Sequence, residues 1–212
     1  MRVFDKYINK EIHNKLSKQD RYNKAVFLDR DGVLIKDCHY IKDPMQVELE
    51  KNVLEFIKLA KNFNYILIIV TNQSGISRGF LNWEDYINVN QRMIELCGSS
   101  NPFAGIYANS LIKNDSKYKF RKPNPGMILA AAKDFNINLK KSFIIGDRLS
   151  DIEAGARAGL REGIHVKTGH GVEELPSIEK HINKGIFCKE KNQKIKITLI
   201  NNLKDFPKKI LI

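Results

Sequence analysis

From residue 25 onward, short apolar runs alternate with amphipathic stretches. The runs Ala25–Leu28, Ile66–Val70, Gly105–Ala108, Ser142–Ile145 and Gly163–Val166 have strand length and little polar interruption. That is the pattern of parallel strands buried on both faces. A further strand is predicted in Lys194–Ile200. Between these runs the spacing predicts helices over Val53–Phe63, Trp83–Cys97, Gly126–Phe135 and Ser150–Ala158. Pro123-Asn124-Pro125 gives the third helix its start signal, because proline is preorganised for a first helical turn. Gly98-Ser99-Ser100-Asn101-Pro102 closes the second helix. The alternation predicts an α/β fold with a mainly parallel sheet and helical crossovers.

No linker interrupts residues 25–212, which are expected to form a single domain. Residues 1–24 read as a polar, Lys- and Asn-rich N-terminal extension, expected to be helical in part, with Val3, Phe4, Tyr7 and Ile8 packing on the body. With 212 residues and 42% hydrophobic content, the chain can bury a substantial core. No apolar run approaches the roughly 18 residues of a membrane span. The N-terminus lacks the apolar stretch of a secretory signal. Cys38, Cys97 and Cys188 are too widely spaced for a redox or metal motif, so a cytoplasmic location is expected. The net charge of +12, from 36 Lys+Arg against 24 Asp+Glu, favours anionic partners. The lysines are spread along the chain, without the aromatic interleaving of a single-strand groove. Nucleic acid is therefore not the expected partner.

Four strand ends carry chemistry. Asp29-Arg30-Asp31-Gly32 follows the first predicted strand and sets two carboxylates one residue apart. One could act as a nucleophile and the other as a proton donor, with a divalent cation between them; a surface turn rich in Asp and Gly is the alternative. Thr71-Asn72-Gln73-Ser74-Gly75-Ile76 offers hydroxyl, amide and backbone donors to a phosphate, or simply a helix cap. Arg121-Lys122 precedes a proline-fixed helix start and can neutralise a phosphoryl group, or stand as a solvated basic turn. Gly146-Asp147-Arg148-Leu149-Ser150-Asp151 repeats an acid at a strand end. Asp147 is a magnesium ligand candidate, whereas Asp151 is expected to cap its helix.

Together these stretches resemble the motifs of the haloacid dehalogenase superfamily, over residues from about Ala25 to Val166. Asp29-Arg30-Asp31-Gly32, Thr71 to Ile76 with Arg78-Gly79, and Arg121-Lys122-Pro123 followed by Pro125-Gly126-Met127 are similar to those of the D-glycero-D-manno-heptose 1,7-bisphosphate 7-phosphatases. The resemblance implies a Rossmann-like three-layer sandwich with a minimal, loop-type cap. It implies that Asp29 forms an aspartyl phosphate and Asp31 acts as acid and then base. Mg²⁺ would sit on Asp29, the Asp31 carbonyl and Asp147. Thr71, Asn72 and Lys122 would hold the transferring phosphoryl group. Asp37, Cys38, His39, Tyr40, Gln73, Ser74, Arg121 and Arg148 would contact a small-molecule sugar phosphate, Arg148 standing where the family usually has lysine. The product would enter nucleotide-heptose biosynthesis, for lipopolysaccharide or capsule.

One departure stands out. Relatives often carry a zinc loop of Cys and His before the Arg-Lys-Pro motif, and the stretch from Tyr107 to Phe120 has neither residue type. Four such ligands make a structural zinc site, so no zinc is expected, and Leu111, Tyr118 and Phe120 are expected to pack the loop instead. Histidinol-phosphate phosphatases and DNA 3′-phosphatases share parts of the pattern and remain alternatives, as does an inactive sugar-phosphate binding module. Nothing demands more than a monomer.

Overall fold

A computed structural model describes residues 2–5, 7–13, 23–112, 119–190 and 193–212. Among the described residues ten strands form one sheet: β1 (Arg2–Asp5), β2 (Ile8–Ile12), β3 (Lys24–Leu28), β4 (Tyr65–Asn72), β5 (Phe103–Asn109), β6 (Phe143–Gly146), β7 (Glu162–Val166), β8 (Ile182–Asn183), β9 (Ile186–Cys188) and β10 (Lys194–Ile200). Six α-helices accompany them among the described residues: α1 (Val53–Asn62), α2 (Ser74–Ser77), α3 (Trp83–Leu96), α4 (Gly126–Asp134), α5 (Leu149–Ala158) and α6 (Gly171–Glu179). The strand order is β1-β2-β5-β4-β3-β6-β7-β10-β9-β8. Pairings from β5 through β10 are parallel, and both outer flanks are antiparallel.

Side chains on the central strands alternate between two cores. Val26 and Leu28 of β3, Leu67 and Ile69 of β4, and Phe143 and Ile145 of β6 face the layer holding α1 and α3. Ala25, Phe27, Ile68, Val70 and Ile144 face the layer of α4, α5 and α6. Period-two alternation with both faces apolar is what two helical layers demand of a parallel sheet. The three-layer α/β sandwich follows.

The chain runs outward from β3 through β4 to β5, then returns to place β6 on the other side of β3. In an open α/β sheet the crevice at such a reversal, beyond the carboxyl ends of the strands, is where ligands bind. Asp29 follows β3 and Asp147 follows β6, so the topology brings together residues 118 positions apart. Asp29 N–H donates to the Ile145 carbonyl at 3.0 Å, extending the β3–β6 ladder into the site. Among the described residues no inserted domain stands over this crevice. The segment after β3, with a short 3₁₀ turn at Pro44–Gln46, forms its rim.

The expected helix in the N-terminal lead is corrected over residues 2–12. That stretch is an antiparallel hairpin, and β2 pairs with β5 as an added sheet edge. Alternating residues Ile8–Ile12, half-buried and buried in turn, carry the strand period, which the Lys and Asn content obscured. Residues 14–22 lie outside the described residues, as does Tyr118 of the expected loop packing; Leu111 is buried and Phe120 packs on the α4–α6 side. Three short elements went unpredicted. Pro176 sits inside α6 and argues against a helix there. The β8–β9 hairpin turns on Lys184 and Gly185, both at positive φ, the geometry of a tight two-residue hairpin. α2 is a single turn.

Phe143 is fully buried and packs against Tyr65 at 5.3 Å and Phe206 at 5.7 Å between ring centroids. Phe143→Ala is expected to destabilise the fold by about 3–5 kcal/mol, read as a lower midpoint in urea denaturation with unchanged slope.

Candidate active site

Everything in the crevice is arranged about one buried ammonium group. Lys122 is 3% exposed, and its Nζ lies 2.8 Å from Asp29 Oδ2, 2.6 Å from Asp151 Oδ1 and 2.8 Å from the Val70 carbonyl it donates to. One hydrogen bond and two ion-pair contacts thus surround the ammonium, and a buried charge is tolerated when it is paired in this way. The lysine's own backbone is fixed from below by Asn72. The Asn72 amide donates to the Lys122 carbonyl at 3.0 Å and accepts from the Lys122 N–H at 3.1 Å. Asn72 therefore serves to place the lysine.

The predicted acids converge as the resemblance implied for Asp29 and Asp147, and they bring Asp151 with them. These three buried carboxylates offer oxygens within 4.8 Å of one another. Asp29 Oδ1 accepts from the Arg30 backbone N–H at 2.8 Å. Asp147 Oδ2 accepts from the His170 N–H at 2.8 Å, while its Oδ1 is buried without a hydrogen-bond partner. Asp151 caps α5 as expected, accepting from the Arg148 N–H at 3.0 Å. Its other oxygen, however, belongs to the lysine, so capping and charge clustering are the same residue's work. No sequence spacing reveals that second role; only the approach of α5 to the β3 end does. Close packing makes room for it. A Cβ on Gly32, which has φ 77°, would collide with the Asp147 carboxylate, and one on Gly146 would collide with Asp151.

The cluster carries three carboxylates against one ammonium, leaving two negative charges in excess when all are ionised. Burial, the neighbouring Asp151 and, more weakly, Asp31 push the Asp29 carboxyl up to about 6, against the pull of Lys122. Burial, then Asp29 and Asp151, push Asp147 up to about 8. Burial works to lower the Lys122 ammonium, but Asp151 and Asp29 outweigh it and raise it. An all-oxygen set with unbalanced negative charge and an orphaned carboxylate oxygen fits a hard divalent cation such as Mg²⁺. Asp29, Asp147 and Asp151 are the side chains that could hold it.

Asp31 also lines the crevice but stands outside the three-carboxylate cluster. Strand β3 stops at Leu28, so Asp31 stands in a tight turn, closed by the Leu34 and Ile35 N–H groups on the Arg30 carbonyl, and not at a strand position alternate to Asp29. Its carboxylate accepts from Arg30 at 3.0–3.2 Å and from Gln73 Nε2 at 2.8 Å. Gln73 also donates to Thr71 Oγ1 at 2.9 Å. Thr71 is buried beneath the crevice, and Ser74 lines it.

The crevice encloses about 650 Å³. Asp37, His39 and Tyr40 reach its wall, while Cys38 is exposed and does not line it. Asp37 Oδ2 lies 2.9 Å from His170 Nε2 and 3.8 Å from Arg148 Nη2. Arg121 donates to the Leu111 carbonyl at 2.8 Å. Its guanidinium pKa is lowered by burial and then by Arg78 and Arg148. Three guanidinium groups thus crowd one wall. Among the described residues, no carboxylate lies within ion-pair distance of Arg78 or Arg121. Arg78 belonged to the recognised motif but was not among the expected contacts; its Nη1 donates to the Tyr40 hydroxyl at 3.1 Å.

A family model described as HAD-hydrolase-like matches residues 119–185. A D-glycero-beta-D-manno-heptose-1,7-bisphosphate 7-phosphatase of Mesorhizobium japonicum is 37% identical over 146 residues, covering 66% of this chain and 67% of that protein. A D-glycero-alpha-D-manno-heptose-1,7-bisphosphate 7-phosphatase of Burkholderia mallei is 37% identical over 145 residues, covering 65% and 77%. One of Photorhabdus laumondii is 34% identical over 173 residues, covering 76% and 88%. Among solved structures, an HAD-like phosphatase of Mesorhizobium loti has a TM-score of 0.72 at 33% identity, covering 78% of this chain and 82% of that one. The D,D-heptose 1,7-bisphosphate phosphatase of B. bronchiseptica, solved with magnesium and phosphate, shares the fold with a TM-score of 0.71 at 24% identity, covering 86% and 94%. No helix among the described residues is long and apolar enough to cross a membrane.

The raised carboxyl groups set a pH dependence of stability. Between the ordinary carboxylate range near 4 and the folded values of about 6 for Asp29 and about 8 for Asp147, the folded protein binds more protons than the unfolded chain. Stability therefore falls as pH rises through that window. Thermal melts in EDTA are expected to show a lower midpoint at pH 8 than at pH 5.5, and millimolar Mg²⁺ is expected to raise the pH 8 midpoint more.

Proposed function

The chain belongs to the HAD-like hydrolases, in the family of the D-glycero-D-manno-heptose-1,7-bisphosphate 7-phosphatases, and from that premise we propose that it removes the 7-phosphate of such a bisphosphate with Asp29 as nucleophile. Its reaction class is phosphoric monoester hydrolysis. The observation that carries the residue assignment is the buried Lys122 held between Asp29 and Asp151 beneath an arginine-lined crevice.

In this reading an Asp29 carboxylate oxygen attacks phosphorus while the ester P–O bond breaks. The electron pair goes to the leaving sugar oxygen, which takes a proton from Asp31. Asp31 then accepts a proton from the water that hydrolyses the aspartyl phosphate, and Asp29 is regenerated. Lys122 holds Asp29 in line and balances charge on the phosphoryl oxygens, with the Thr71 hydroxyl as a further donor. Asn72 acts by fixing Lys122 and Gln73 by orienting Asp31. Asp29, Asp147 and the Asp31 carbonyl would hold Mg²⁺, with Asp151 beside them. When bound, the cation screens the repulsion between nucleophile and substrate phosphate.

The three guanidinium groups of Arg78, Arg121 and Arg148 support a substrate with a second anionic group. Converging cations, of which Arg78 and Arg121 have no carboxylate within ion-pair distance among the described residues, suit the phosphate that stays on the sugar. Asp37, His39, Tyr40 and Ser74 would meet the sugar between the two phosphates. The free thiols Cys38, Cys97 and Cys188 suit a reducing cytoplasm, where a monomer acting on a soluble metabolite would feed nucleotide-heptose synthesis.

Phosphate release from heptose 1,7-bisphosphate, histidinol phosphate and a 3′-phosphorylated oligonucleotide, each with Mg²⁺, tests the reading. The bisphosphate is expected to give the highest kcat/KM, and Asp29→Asn is expected to lower it by at least about 10⁴-fold while the variant stays folded. Preference for the oligonucleotide, or steady turnover by the variant, would overturn it.

A further inference from the structure

Arg30 is the largest fully buried side chain among the described residues, and it lies between the two acids. A guanidinium taken out of water costs several kcal/mol unless its donors are met, so its setting has to account for it. Nε lies 3.2 Å from both Asp31 oxygens and Nη2 3.0 Å from Oδ1, which is a forked grip on the whole carboxylate. Nη1 donates to Asn90 Oδ1 at 3.0 Å, an anchor in the helical layer behind the sheet. The Tyr86 ring lies under the guanidinium, its centroid 5.2 Å from Cζ. Meanwhile the Arg30 main-chain N–H donates to Asp29 Oδ1 at 2.8 Å. One residue therefore holds one acid through its backbone and the other through its side chain.

We propose that Arg30, braced by Asn90 and Tyr86 of α3, is the positioning residue for proton transfer by Asp31. The inference rests on the phosphatase reading above. An arginine fork fixes the plane of a carboxylate, which a lysine ammonium cannot do. Gln73 fixes its remaining direction from the other side. As the proton passes from Asp31 to the leaving oxygen, negative charge develops on a carboxylate that already faces preorganised donors. Such stabilisation requires no rearrangement at the moment of reaction. Helix α3 thereby takes part in the chemistry, although it contributes no acid, base or phosphate ligand.

A merely structural arginine and a positioning arginine differ in one measurable way. Positioning matters only when the leaving group needs a proton. The test is single-turnover release of the leaving group from a series of Mg²⁺-assisted phosphate monoesters, running from p-nitrophenyl through phenyl to alkyl. In Arg30→Lys, alkyl release is expected to fall by about 100-fold and p-nitrophenolate release by about tenfold less. The plot of log rate against leaving-group pKa is then steeper than for the unmodified enzyme. Asn90→Leu, which removes the brace and touches neither acid, is expected to steepen the plot in the same sense but less. It carries the test if Arg30→Lys fails to fold, as judged by circular dichroism. Equal losses across the series, or an unchanged slope in a folded variant, would reduce Arg30 to a core ion pair. Failure of the unmodified enzyme to hydrolyse any monoester would instead remove the phosphatase reading beneath the inference.

Discussion

A single ammonium group, buried among two carboxylates and a backbone carbonyl, ties the architecture of this protein together. Lys122 reaches the Val70 carbonyl on β4, Asp29 at the end of β3 and Asp151 in the first turn of α5. It links a strand interior, a strand end and a helix start through one group. Taking one partner away would strand a buried charge, at a cost of about 3–5 kcal/mol. A stable apolar replacement would serve the fold equally well. Retaining an ion network in so dry a place argues that its charges have work to do on a ligand.

The excess charge fits that view. Burial first, and then the neighbouring carboxylates, raise the carboxyl groups of Asp29 and Asp147, so ionising the cluster is costly unless something positive joins it. The rim has the opposite character, with arginines crowded against one another. A bound phosphate and a divalent cation would relieve both. The ligand, on this account, completes an electrostatic balance that the polypeptide leaves open.

Much of this was legible in the sequence. The parallel sheet followed from Ala25–Leu28, Ile66–Val70 and Ser142–Ile145, where both faces are apolar and periodicity is unambiguous. Acids at strand ends located Asp29 and Asp147, because topology places those ends in one crevice. The partition of labour among neighbours was not legible. Asn72 and Gln73 look like ligand donors in a linear motif, yet their amides are turned toward Lys122 and Asp31. Asp151 looked like a cap and is one, but its second oxygen meets a lysine 29 residues earlier in the chain. The hairpin Arg2–Ile12 was hidden because its buried alternate positions in β2 are the polar Asn9 and Glu11, while Ile8 and Ile12 are only half-buried.

The proposed reaction requires phosphorus to become bonded to Asp29 during turnover. Acid quenching within milliseconds of mixing the enzyme with a sugar bisphosphate labelled at the transferred phosphate tests this directly. The prediction is a protein-bound label that hydroxylamine releases and that maps to the peptide containing Asp29. Product formation at full rate with no protein-bound label, or a label on any other residue, would contradict it.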